Sequence, residues 1–312
     1  MTEAVGRLQP VPMRKRGLSQ RAREEIAGYL CIMPWMLGFL VFTAGAMLFS
    51  LGLVFFKTDL LTGFHFVGFG NITKMVADPL FQKSLVVTSY YSFVTVPISL
   101  AIGLTIALAL NQGLPAQGFW RTLYYLPSVT SGIAVSMLWM YVFHPDVGLL
   151  NETLRLVGIQ GPRWLSSEKW AVPAFIIMGL WGSGGSILLN LAGLQSIPTH
   201  LFEAAKIDGA GTWRQFWNIT VPMLSPTIFF NLIMGIIGSF QVFTQALVMT
   251  QGGPNNATLT IMLYLYRKGF QQLQFGYSSA IAWALFCIIL ALTLLVFRSS
   301  AVWVYYEGEV RR

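Results

Sequence analysis

Residues 26–56 read IAGYLCIMPWMLGFLVFTAGAMLFSLGLVFF, without one formal charge. A helix of ~20 apolar residues crosses the hydrocarbon core of a bilayer, and this run exceeds that length. It also lacks the short apolar core and small-residue cleavage pattern of a secretory signal, so it reads as a retained span with Pro34 near its start. The rest of the chain repeats the pattern. Further spans are expected at about Ser84–Leu110 (containing Pro97), Thr122–Phe143, Trp170–Leu191, Met223–Thr250 and Tyr277–Phe297. Only 10% of residues are charged while 55% are hydrophobic, against ~25% charged in soluble domains. The expected fold is an all-α integral membrane bundle of six helices, with a domain over residues 26–298 between a basic tail (1–25) and a tail over 299–312.

The net charge of +8 does not indicate a nucleic-acid partner, because six of the twenty Lys and Arg residues crowd into residues 1–25. That bias follows the positive-inside rule and predicts a cytoplasmic N-terminus. With six spans the C-terminus is then cytoplasmic too, and cytoplasmic segments hold Arg121, Lys206, Arg214, Arg298, Arg311 and Arg312. Cys31 and Cys287 fall in apolar runs and read as packing residues rather than a disulfide framework.

The segment between the fourth and fifth spans, about 194–226, is far longer than a helical hairpin needs. Thr199 can cap a short helix over His200–Ile207, and Gly209 then breaks it. A second short helix from Thr212 places Trp213, Phe216, Trp217 and Thr220 at i, i+3, i+4 and i+7, with Pro222 and Pro226 closing the segment. Periodicity alone leaves two readings: an anchor lying on the lipid surface, or a docking element for a cytoplasmic partner.

The residues Glu203-Ala204-Ala205-Lys206-Ile207-Asp208-Gly209-Ala210, followed by Ile219 and Pro222, resemble the EAA loop of permease subunits in binding-protein-dependent ABC importers. Phe66-Val67-Gly68-Phe69-Gly70-Asn71, Arg121-Thr122-Leu123-Tyr124-Tyr125-Leu126-Pro127 and Gly252-Gly253-Pro254-Asn255-Asn256 are similar to segments of the carbohydrate-uptake branch. The resemblance implies a prokaryotic inner-membrane protein whose two-helix cytoplasmic coupling loop docks on an ATPase. Glu203 would contact a basic group there, Ala204 and Ala205 would keep the surface low, Gly209 would bend it, Ala210 and Pro222 would belong to the same coupling segment, and Asp208 would either join it or cap the chain locally. It further implies a second permease, two ATPase subunits, an extracytoplasmic solute-binding protein, surrounding membrane lipid and a sugar solute.

No Gly-Lys dipeptide occurs, so no phosphate-binding loop is expected, and ATP and Mg would belong to the partner ATPase; the chain itself is expected to bind no cofactor. His65, His144 and His200 are scattered, with no metal or catalytic spacing, so no metal site and no catalytic residues are expected. No charge sits mid-span, which suits a neutral solute better than an ion relay. Asn231, Gln241 and Gln245 in the fifth helix, and Trp181, Ser183 and Asn190 in the fourth, are candidates to line its path. Interhelical hydrogen bonding is the alternative use of each polar group. A secondary ion-coupled carrier, or an ABC permease for a solute such as a glycerol phosphate, remains the rival function.

Overall fold

The computed structural model describes residues 19–59 and 63–305. Residues 1–18 of the expected basic tail, and Arg311 and Arg312, lie outside the described residues. The chain divides into two units, Met1–Ser50 and Leu51–Arg312.

Among the described residues, four helices are long and apolar enough to cross a bilayer unbroken: α1 (Glu24–Leu53), α3 (Pro79–Leu110), α10 (Thr212–Phe240) and α12 (Phe275–Trp303). Two further spans are bent pairs, giving six crossings if each pair counts once. In the first pair, α4 (Gln117–Val129) meets α5 (Gly132–Val142) at 100°. Thr130 and Ser131 between them are extended, with ψ of 145° and 128°. The Thr130 hydroxyl donates to the Leu126 carbonyl at 2.8 Å, satisfying an acceptor that the broken helix frees. In the second pair, α7 (Ala171–Trp181) bends by 42° into α8 (Gly184–Ser196) at Gly182-Ser183. The sequence led to straight spans here, because an apolar run has the same composition whether it bends or not.

Shorter helices complete the chain: α2 (Gly70–Ala77), α6 (Leu149–Leu156), α9 (Thr199–Ile207) and α11 (Ile261–Tyr266). Strand β1 (Phe56–Lys57) pairs antiparallel with β2 (His65–Phe66), Phe56 opposite Phe66. Asn71 on α2 fastens this hairpin by donating to the carbonyls of Val54 (2.8 Å) and Phe56 (2.9 Å).

Within the second unit α3 packs against α7, α8 and α10, and α10 against α12. The buried side chains form two apolar cores. One gathers Val87, Tyr91, Phe175, Met178, Phe240 and Ile281. The other gathers Ala107, Leu110, Ile187, Leu191 and Leu224 at the opposite ends of the same helices. Between them, at mid-depth, the helices carry small and polar residues instead.

Candidate functional site

That middle layer opens into a cavity of about 620 Å³. Its polar lining comes from Tyr91, Thr95 and Ser99 of α3, Ser183 and Ser186 at the α7–α8 bend, and Asn231 and Ser239 of α10, set among apolar side chains such as Val96, Phe230 and Met234. No charged side chain lines it. The cavity exists because two of its walls are discontinuous. At the bend the Ser183 hydroxyl donates to the Leu180 carbonyl (2.7 Å) and the Ser186 hydroxyl to the Ser183 carbonyl (2.8 Å). Both hydroxyls are thereby paired within the bend, on carbonyls that also accept from the Ser183 and Ser186 N–H groups. The other break follows Phe240: α10 ends there, and a separate turn begins at Thr244. The expected fifth helix through Thr250 is therefore two pieces, and Gln241 and Gln245 do not share a helix face, although both line the cavity.

The remaining polar candidates divide. Asn231 reaches the cavity and also donates to the Asn190 side-chain oxygen at 3.0 Å. Asn190 is buried, and this bond bridges α8 to α10. Trp181 faces a second, largely apolar cavity of about 580 Å³ with Tyr124, Pro127 and Leu138, its ring edge-on to Trp139 at 6.0 Å. Ser183 stands between the two cavities and lines both. Sequence reasoning overlooked the contribution of α3. The signal was present: Ser84, Thr88, Ser92, Thr95 and Ser99 recur every three or four residues on an otherwise apolar helix.

At one end of the bundle the chain leaves α8 and forms the bent segment anticipated around Gly209. Thr199 does not cap α9; it occupies the first turn, and Pro198 holds the cap position. The helix ends in a Schellman turn, in which the Ala210 N–H donates to the Ala205 carbonyl (2.8 Å) and the Gly209 N–H to Lys206 (3.1 Å). Gly209 takes φ +74°, and nothing stands within 4 Å of a Cβ built there. Glycine is required by the left-handed backbone and not by crowding. Gly209→Val is therefore expected to cost about 1–2 kcal/mol locally, read as faster hydrogen exchange of the amides at positions 209 and 210 while the spans stay protected.

The second half of this segment is no separate helix. Residues from Thr212 run without a break through a wider turn at Phe216–Thr220 into the rest of α10, and Pro222 lies just past that wider turn. Glu203, Ala204, Asp208 and Gly209 are exposed, Ala205, Ala210 and Pro222 half-buried. Ile207 and Trp213 are 88% and 73% exposed, and Trp213 stacks on Phe216 at 5.6 Å. Apolar side chains this exposed beside charged ones mark a contact surface.

The opposite end holds a cluster that the sequence did not reveal. Asp78 caps α3 by accepting from the Leu80 N–H at 2.9 Å. Its other carboxylate oxygen accepts from the hydroxyls of Tyr277 (2.6 Å) and Tyr264. Lys268 lies over both rings and Lys74 over that of Tyr277. Burial raises the Asp78 carboxyl, but the two hydroxyls, the Leu80 N–H and the Lys268 charge outweigh it and hold the group below its ordinary value.

A bundle whose broken helices wall an uncharged mid-depth cavity, and which presents an exposed bent hook at one end, has the build of a transport permease. Residues 99–303 match the family described as the binding-protein-dependent transport system inner membrane component, and the chain belongs to that family. It is 40% identical over 292 residues to YesP, a probable ABC transporter permease protein of Bacillus subtilis (strain 168), covering 92% of this chain and 94% of that one. It is 35% identical to LacF, the lactose transport system permease protein of Rhizobium radiobacter, over 88% and 94% of the two chains. The fold matches a chain of a bacterial alginate ABC transporter, crystallised with a periplasmic protein bound to an alginate pentasaccharide, with a TM-score of 0.79 at 22% identity, covering 91% and 96%. The chain is thus a membrane permease subunit of an ABC importer.

Proposed function

We propose that this subunit forms half of the path for a neutral sugar or sugar-like solute, moved by alternating access that a separate ATPase drives. The observation that carries the proposal is the uncharged mid-depth cavity, whose lining offers hydroxyls and amides among apolar side chains. A polyol needs such donors and acceptors, whereas a phosphorylated solute calls for a cation to pair with its charge, and no lysine or arginine lines this cavity. The lactose permease among its relatives supports the same solute class. The termini and the Gly209 segment are placed in the cytoplasm on the charge bias of residues 1–25. There Glu203 pairs with a basic group of the ATPase, with Ala204 and Ala205 allowing close approach. A second permease, two ATPase copies and an extracytoplasmic solute-binding protein complete the importer.

The test is purification of the tagged subunit in mild detergent from its native cell, with mass spectrometry of what accompanies it. A second six-span permease and an ATPase with a phosphate-binding loop are the expected companions. Recovery of this chain alone would overturn the proposed assembly. In the same preparation Glu203→Ala is expected to reduce ATPase recovery about tenfold, the factor that loss of a charge-assisted hydrogen bond worth roughly 1.4 kcal/mol produces. Unchanged recovery and transport would remove Glu203 from that role.

A further inference from the structure

Between α5 and α7 the chain forms α6, and its surroundings are unusual for a loop helix. Asn151 clamps it: its amide donates to the carbonyls of Pro145 (2.9 Å) and Pro162 (3.2 Å), and its oxygen accepts from the Trp164 indole N–H at 2.7 Å. A Cβ on Gly161 would overlap the Asn151 side chain, so the clamp leaves room only for glycine. A helix held this firmly presents one fixed face.

That face is apolar. Leu150 and Leu154 pack on the bundle core. The adjoining sector, Leu149, Leu156 and Val157, is 62%, 85% and 70% exposed. Asn151, Glu152 and Arg155 occupy the opposite arc, where Arg155 pairs with Glu152 at 2.6 Å. The apolar sector is therefore wider than the bundle covers. The helix that α6 packs on, α5, belongs to a bent membrane span and exposes Met137 and Tyr141 as well.

We propose that α6 lies in the headgroup layer of the bilayer, with Leu149, Leu156 and Val157 seated among acyl chains and Glu152 and Arg155 facing water. The occupant is lipid, because α6 packs on α5, half of a bent membrane span whose Met137 and Tyr141 are exposed, and because its own exposed sector carries large apolar side chains with the charged pair on the other arc. A helix with an apolar face and a charged one binds the interface in this way. The placement holds whatever the solute is.

The test uses the full-length chain with Cys31 and Cys287 replaced by serine, both being exposed, and Leu156→Cys or Arg155→Cys carrying an environment-sensitive fluorophore. Each is reconstituted with its copurifying partners into phosphatidylcholine–phosphatidylglycerol vesicles. At position 156 a shallow nitroxide-labelled phospholipid is expected to remove most of the emission, and iodide quenching is expected to be several-fold weaker than at 155. Equal iodide quenching at both positions, without quenching by lipid, would make α6 a solvated loop and overturn the proposal. Shielding of position 156 from both quenchers would assign the face to a protein neighbour, overturning it as well. Native-like thermal unfolding of both labelled variants guards against a folding artefact.

Discussion

Asp78→Ala is expected to destabilise the subunit by about 3 kcal/mol, since it strands two hydroxyls that donate to a charged acceptor, each such bond contributing ~1.5–3 kcal/mol. The carboxylate joins α3 to α11 through Tyr264 and to α12 through Tyr277, across sequence separations of 186 and 199 residues. Thermal unfolding in detergent reads the loss, and a double-mutant cycle with Tyr277→Phe should return a coupling of about 1 kcal/mol or more. Independent effects of the two substitutions would mean that the contact is incidental. Asp78→Asn sets the pH dependence. Because the folded carboxyl is held below its ordinary value of 3.8, its contribution is fully present above that value and fades as pH falls toward the folded pKa. Wild type should therefore outlast Asp78→Asn by a constant margin from neutral pH to about 5, and the margin should close in more acidic buffer.

Gly238→Trp is expected to abolish uptake while leaving assembly intact. Gly238 lines the central cavity on α10, and nothing stands within 4 Å of a Cβ built there. An indole can grow into the empty volume without displacing backbone. Gly238→Ala, by contrast, should transport normally and gain up to about 1 kcal/mol, because alanine is the better helix former. Radiolabelled uptake in vesicles, beside copurification of the partners, separates the two. Undiminished uptake by the tryptophan variant would place the solute path elsewhere.

Much of the fold was legible because the bilayer leaves a coarse trace in composition. Charge-free runs such as 26–56 and 215–266 reveal where spans lie, and the residues around Gly209 reveal a bend that only a positive φ explains. The bends within spans were hidden, since Thr130 and Ser183 satisfy the backbone locally and disturb neither length nor hydropathy. Of the cavity, Asn231, Gln241 and Gln245 stood out as polar groups in apolar surroundings. Tyr91 and Thr95 did not, because hydroxyls are common in membrane helices and only packing decides which of them face a void. The Asp78 cluster was invisible for a different reason: its three members are local nonentities, brought together by tertiary structure alone.

The fusion of Thr212–Gln215 to the fifth span has a mechanical consequence. Twenty-nine residues in one helix make a rod roughly 43 Å long at ~1.5 Å per residue, with the exposed Trp213 near one tip and Ser239 of the cavity wall near the other. Pivoting such a rod by ~5° swings a tip through roughly 4 Å, a distance comparable with one helical turn. A hinge between the two regions would dissipate such a tilt, whereas a single stiff lever carries it from one tip to the other. The same geometry makes the shaft a sensitive place for softening: a further glycine beside Gly235 would leave both tips in place yet let them move independently.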